Sequence, residues 1–351
     1  MRGFEYSAKW LRKMEFLECM YRMRDAIAAN GKFLLDNWYF NGINTSKQGE
    51  HGMPGATEAR HGHAEGLDGL PSEAILGVIQ DTQLKAAEAV RAAIPAISRA
   101  GELAAERLKA GGRLIYVGAG SSGLMALADG LELPGTFGLS RADVKILLAG
   151  GVASLSDLAG GYEDDEALAL SDLDAAGVAD GDCVVCITAS GSTPYTLAIA
   201  RAARDRGAAV IGIANNRDAA LHALSDVAVL LETPAEVVAG STRMGAGTAQ
   251  KIALNMLSTL MAIRLGHVHD GYMINLKADN AKLQRRACGI VSEIAGVDVD
   301  QAAGCLQRAS GSVKVATLLA SGAETPESAI RLLASCNQNF RQALEMARAG
   351  L

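Results

Sequence analysis

Between residues 113 and 231 the apolar positions gather into five short continuous runs, 113–117, 144–148, 183–188, 209–214 and 227–231. Segments of helical spacing separate them. Continuous apolar runs of this kind, with few polar interruptions such as Lys145, suit strands buried on both faces, so the pattern predicts a parallel sheet with helices on each side. Upstream, Pro71-Ser72-Glu73 opens a helical region in which Ile75, Ile79, Val90, Ile94 and Ile97 recur at helical spacing. Pro95 predicts a kink or break there, followed by a second helix over 101–109 that stops at Gly111-Gly112. Downstream, a helix is expected over 249–265. From Lys277 onward the spacing is helical throughout, with breaks near 296–298, 310–311 and 322–326. This reads as a long helix and then a bundle of three or four, with Asp298 and Thr325-Pro326 as helix starts. The predicted fold class is α/β: a five-stranded parallel doubly wound sheet with N-terminal helices and a small C-terminal helical bundle. In such sheets ligands bind beyond the carboxyl ends of the strands.

A length of 351 residues suits one large α/β domain with additions or two small ones, and 49% apolar residues supply an ample core. The formal charge of −6 lacks the basic footprint of a nucleic-acid binder. No apolar run is long enough to span a membrane, and the start lacks the uninterrupted apolar stretch of a secretory leader. The six cysteines are scattered, and Cys183 and Cys186 fall in a buried strand as core residues. The expectation is a reduced, cytoplasmic protein. Residues 1–52 differ from the rest: they are net basic and hold both tryptophans and nine of the fifteen aromatics. Helix is expected over 8–29, where the aromatics could form a partner-binding face. The preferred reading makes Met53 the true start and this extension no part of the working domain. Glu5, Glu15, Glu18 and Asp25 interrupt the positive charge that a membrane anchor would need. The expected divisions are the extension 1–52, an arm and helices 53–104, the sheet domain 105–268 and the helical region 269–351.

Chemistry concentrates in two turns. The first, Gly118-Ala119-Gly120-Ser121-Ser122-Gly123, follows the strand over 113–117 and precedes a helix. Its glycines match the dinucleotide fingerprint, but the next strand ends Leu148-Ala149-Gly150-Gly151 without the acid that would hold a ribose. No Gly-Lys-Ser/Thr follows, so the phosphate-loop alternative fails too. The second turn, Ala189-Ser190-Gly191-Ser192-Thr193-Pro194-Tyr195, also links a strand to a helix. Two hydroxyl-rich turns at helix starts can surround a phosphate monoester without a metal, although each serine and threonine also suits an ordinary helix cap. The candidate phosphate contacts are Gly120, Ser121, Ser122, Ser190, Gly191, Ser192, Thr193, Ser241 and Arg243. Glu132, flanked by apolar residues, suits a general acid or base, and equally an exposed helix-end carboxylate. Glu163 lies in an acidic run that, taken bare, reads as a solvated loop. No metal-ligand set stands out, and His267 and His269 read as surface or packing residues.

From Thr57 to the C-terminus the chain resembles the N-acetylmuramic acid 6-phosphate etherases. These are sugar-isomerase-type phosphosugar-binding proteins, similar to the glucokinase regulatory protein. The resemblance rests on ordered blocks: Thr57-Glu58, residues 118–123, Glu132 with residues 134–138, residues 149–151, Glu163-Asp164 and residues 189–195. Residues 240–243, 246–251, 255–259 and 280–283 complete the set.

The resemblance implies a cytoplasmic homodimeric lyase that needs no metal or nucleotide. It would cleave the C3 lactyl ether of N-acetylmuramic acid 6-phosphate to N-acetylglucosamine 6-phosphate and D-lactate. The position matching Glu132 would protonate the departing lactate and then serve as base for water; that matching Glu163 would assist at C2. The C-terminal helices would form a ubiquitin-associated-like bundle. Departures fall at Leu124, Ser192 and Gly245, where the family usually carries Arg, Arg and Lys, and at Leu131, where it carries Ser. A non-catalytic phosphosugar sensor and an aldose–ketose phosphate isomerase are the alternatives.

Overall fold

The computed structural model describes residues 55–157 and 160–350. The chain divides into two units, Met1–Met53 and Pro54–Leu351. The expectations for residues 1–52 fall outside the described residues.

Five parallel strands build one sheet: β1 (Leu114–Gly118), β2 (Val144–Leu148), β3 (Cys183–Thr188), β4 (Ala209–Ala214) and β5 (Val227–Leu230). Their order is β2-β1-β3-β4-β5. Every residue of β1, β3 and β4 is buried, as unbroken apolar runs require. Side chains alternate between two cores. Leu114 and Tyr116 join one face, covered by α1 (Ser72–Lys109), α2 (Gly120–Phe137) and α6 (Gly245–Arg264). Ile115 and Val117 join the other, covered by α3 (Glu166–Ala176), α4 (Pro194–Asp205) and α5 (Ala220–Ala223). Cys183 and Cys186 are free and fully buried on opposite faces, and burial pushes the Cys183 thiol up to about 12.

Pro95 does not break the first helix. α1 runs unbroken through it, in place of the two helices expected. Pro95 and Arg91 are both exposed, so water can satisfy the Arg91 carbonyl that loses its helical partner. The buried side of the helix, with Val90, Ala93, Ile97 and Ala100, continues past the proline against α6.

After α6 comes a two-stranded hairpin, β6 (Val268–His269) and β7 (Tyr272–Met273), which the helical reading from Lys277 leaves untouched. Five helices follow: α7 (Ala281–Ala295), α8 (Val299–Arg308), α9 (Val313–Ala320), α10 (Pro326–Ser335) and α11 (Phe340–Arg348). They enclose a third core around Ile290, Val291, Leu318 and Phe340. Each starts on a side-chain cap: Asn280, Asp298, Ser312, Thr325 and Asn339 each accept a hydrogen bond from an amide of the first turn.

Candidate functional site

The chain leaves β1 toward β2 on one side and leaves β3 toward β4 on the other, so the sheet has its switch point between β1 and β3. Gly118 pairs with Ile187 across that gap, which places the two hydroxyl-rich turns side by side at the carboxyl edge.

In the first turn the glycines have separate tasks. Gly118 and Gly123 let the start of α2 lie against the end of β1: a Cβ at Gly118 would come within 2.9 Å of the Gly123 backbone. Gly120, at φ 49°, makes room for something else, because any side chain there would collide with the Glu163 carboxylate. Glu163 belongs to a short 3-10 turn, Gly160–Asp164, and the ring of Tyr162 beside it lies over Gly150. A contact across more than forty residues thus brings Glu163 onto the first turn. Burial pushes its carboxyl above the ordinary range, and the charge of Asp164 adds to the effect. The start of α2 has no side-chain cap, and Ser121 and Ser122 make no capping bond.

The second turn is a web of hydroxyls. Thr188 Oγ1 lies 2.7 Å from Thr193 Oγ1 and 3.3 Å from Ser190 Oγ. The Ser192 hydroxyl donates to Ser190 Oγ at 3.1 Å, and the amides of Gly191 and Ser192 donate to Thr188 Oγ1 and Ser190 Oγ. Gly191 sits at φ 78°, packed on Ala219. The start of α4 also lacks a side-chain cap, with Pro194 in its first turn. These hydroxyls therefore hold one another in place and do not close the helix, which answers the ordinary-cap alternative.

One partner of the second turn, Asn216, escapes a sequence reading, and its link to Thr57 does too. Asn216, just past β4, donates through Nδ2 to the Ser190 carbonyl at 3.2 Å and to Thr57 Oγ1 at 3.0 Å. Its Oδ1 accepts from the Thr57 amide. The arm before α1 is thereby tied to the turn. The Asn215-Asn216 pair after a buried strand was the available signal.

Ser241 and Arg243 lie in the loop before α6, Ser241 half-buried and Arg243 exposed. The start of α6 is already filled: the amides of Gly245 and Ala246 donate to the buried Glu236 carboxylate at 2.9 and 2.8 Å. This loop can offer a ligand side chains, but not those two amides.

Glu132 is not beside its own turn. It is exposed, next to Leu131 at 61% exposure, and stands twelve residues along α2 from Gly120. At roughly 1.5 Å per residue that is about 18 Å, toward the opposite edge of the sheet. Helix length therefore carries Glu132 away from the first turn of its own chain. Its apolar sequence neighbours do not enclose it. Among the described residues no three metal-ligating groups come together. His269 packs edge-on against Phe340, and burial with the charge of Lys314 pushes His267 down to about 4.

Residues 80–215 match the SIS domain family. An N-acetylmuramic acid 6-phosphate etherase of Deinococcus radiodurans is 42% identical over 80% of this chain and 92% of its own length. Enzymes of the same name from Geobacillus thermodenitrificans and Symbiobacterium thermophilum are 42% and 44% identical, over 75% and 74% of this chain and 90% and 86% of their own lengths. The chain belongs to the N-acetylmuramic acid 6-phosphate etherase family. As an etherase-family fold, it carries the two uncapped helix starts and Glu163 together at the switch point. Neither residues 118–124 nor residues 188–195 include a lysine or arginine.

Proposed function

We propose that the protein is a carbon–oxygen lyase that removes the D-lactyl ether from C3 of N-acetylmuramic acid 6-phosphate, acting as a cytoplasmic homodimer. The observation that carries the site is the carboxylate laid over the first of two uncapped helix starts. A negative Glu163 above Gly120 repels a phosphate there, so the phosphate belongs on the hydroxyl web of the second turn. The sugar then spans toward Glu163.

The chemistry is an elimination followed by a hydration. The sugar opens to its aldehyde, which acidifies the C2 proton. Glu163 takes that proton; its raised pKa makes its conjugate base strong for a carboxylate. The C2–H electrons form C2=C3, the C3–O bond breaks, and its electron pair leaves on the lactate oxygen. Glu132, as acid, protonates that oxygen. It then takes a proton from water as the water oxygen bonds to C3, and C2 regains a proton. Because Glu132 lies about 18 Å along α2 from its own turn, the acid is supplied by a second copy of the chain. The exposed Leu131 beside it supports contact there.

Incubation with N-acetylmuramic acid 6-phosphate should release D-lactate and N-acetylglucosamine 6-phosphate in equal amounts. An isomerase would interconvert sugars without lactate, and a sensor would bind without turnover. Glu132→Ala and Glu163→Ala should each be inactive alone. Mixed and allowed to exchange subunits, they should recover about a quarter of wild-type activity, because half the dimers are hybrids with one intact site each. No recovery in verified hybrids would place Glu132 in its own subunit's site and refute the shared arrangement.

A further inference from the structure

Asp129 is a buried carboxylate, 2% exposed, that the reaction above does not use. It lies in α2, one helical turn before Glu132. Its Oδ2 accepts from the Tyr116 hydroxyl at 2.7 Å, and its Oδ1 accepts from Asn255 Nδ2 at 2.6 Å and from the Ser258 hydroxyl at 3.2 Å. Tyr116 stands on β1, while Asn255 and Ser258 stand on α6. One side chain therefore ties α2 to the strand beneath it and to the helix beside it. The next residue, Gly130, presses the same turn onto the sheet: a Cβ there would come within 3.0 Å of Ile146 and 3.2 Å of Tyr116. Burial, with Asp129 adding to it, pushes the Tyr116 phenol well above its ordinary range, so it stays a donor.

Burying a carboxylate among neutral donors is a costly way to hold a helix, and apolar packing of similar volume generally does as well for stability. Three directional bonds do something packing does not: they fix the rotation and height of α2 at one level. That level is where Glu132 leaves the helix.

We infer that Asp129 is a positioning residue for Glu132, locking α2 between β1 and α6 so that the carboxylate three residues on meets the leaving oxygen. The inference rests on the reading of Glu132 as the reacting acid. A displacement of about 1 Å at a reacting group costs roughly 100-fold in rate. Asp129→Leu should therefore lower kcat for D-lactate release by about 30-fold or more while KM stays within about two-fold. Asp129→Asn keeps the size and an acceptor for Asn255 and Ser258, and should recover most of the rate.

Subunit mixing separates aim from fold. Asp129→Leu mixed with Glu163→Ala should regain activity, since the good Glu132 and the good turns then meet in one site. Asp129→Leu mixed with Glu132→Ala should not. Unchanged kcat in folded Asp129→Leu, or equal recovery in both mixtures, overturns the inference. If Asp129→Leu does not fold, Tyr116→Phe decides: about a ten-fold fall in kcat at constant KM supports it, and an unchanged kcat overturns it. Glu132→Ala run in parallel keeps the two readings apart. Full activity there defeats the role of Glu132, whereas inactivity there with normal Asp129 and Tyr116 variants defeats only the positioning role.

Discussion

The helices of the sheet domain that point at the switch point and the helices of the C-terminal bundle begin in opposite ways. All five bundle helices start on a capping side chain, and Thr325 with Ser328 forms a reciprocal capping box. α2 and α4 start with none, although Ser121, Ser122, Ser190, Ser192 and Thr193 are all at hand. Helix starts leave several amides without partners inside the helix, and a fold normally closes them locally. The hydroxyls of the second turn bond to one another instead of closing α4, and under the proposed function that open start takes the phosphate. α6 is the third case, open to neither: a remote carboxylate, Glu236, closes it from within.

The largest test of this contrast is chemical. Glu163→Gln keeps the shape over Gly120 and removes the base, so kcat should fall by about 10²–10⁴-fold, with sugar phosphate binding retained. Binding equal to wild type but with full turnover would detach Glu163 from the reaction. Next comes the second turn itself. Gly191→Ala forces a side chain into left-handed backbone and against Ala219. Affinity for the sugar phosphate should weaken by about 30-fold or more, read by calorimetry, from strain on the order of 2 kcal/mol. Asp164→Asn is subtler. The Asp164 charge raises the Glu163 carboxyl, so removing it lets Glu163 ionise at lower pH. The acid limb of the kcat profile should move down in pH, and an upward shift would contradict the base role. Smallest in function is Thr325→Ala in the bundle. Losing that cap should cost about 1 kcal/mol of stability in a denaturant titration, while KM and kcat stay put. A change in KM there would undo the separation of structural from ligand-facing starts.

Much of this architecture is readable along the chain. Strands buried on both faces announce themselves as apolar runs: three of the five match their expected limits, β5 ends one residue early and β1 is shifted by one. The two turns were legible because each joins such a strand to a helix. What was not legible depended on direction and distance in space. Pro95 broke the expected pattern only on paper, since nothing local reveals that it faces water. Glu132 follows the first turn closely in sequence, yet the helix between them carries it away. Glu163 reads as a solvated acid until the fold lays it over Gly120. The bond from Asn216 to Thr57 spans 159 residues, beyond any motif.

The hydroxyl web of the second turn has a consequence for how the protein meets its surroundings. With neither lysine nor arginine in residues 188–195, the turn itself would offer the proposed phosphate short-range dipoles rather than net charge. Mobile ions screen interactions between exposed charges over about 10 Å at 0.1 M salt, but barely touch hydrogen bonds made at contact. If the phosphate sits on that turn as proposed, the turn's own share of the grip is set by shape and desolvation and changes little with ionic strength, leaving any salt dependence to charges outside it such as Arg243.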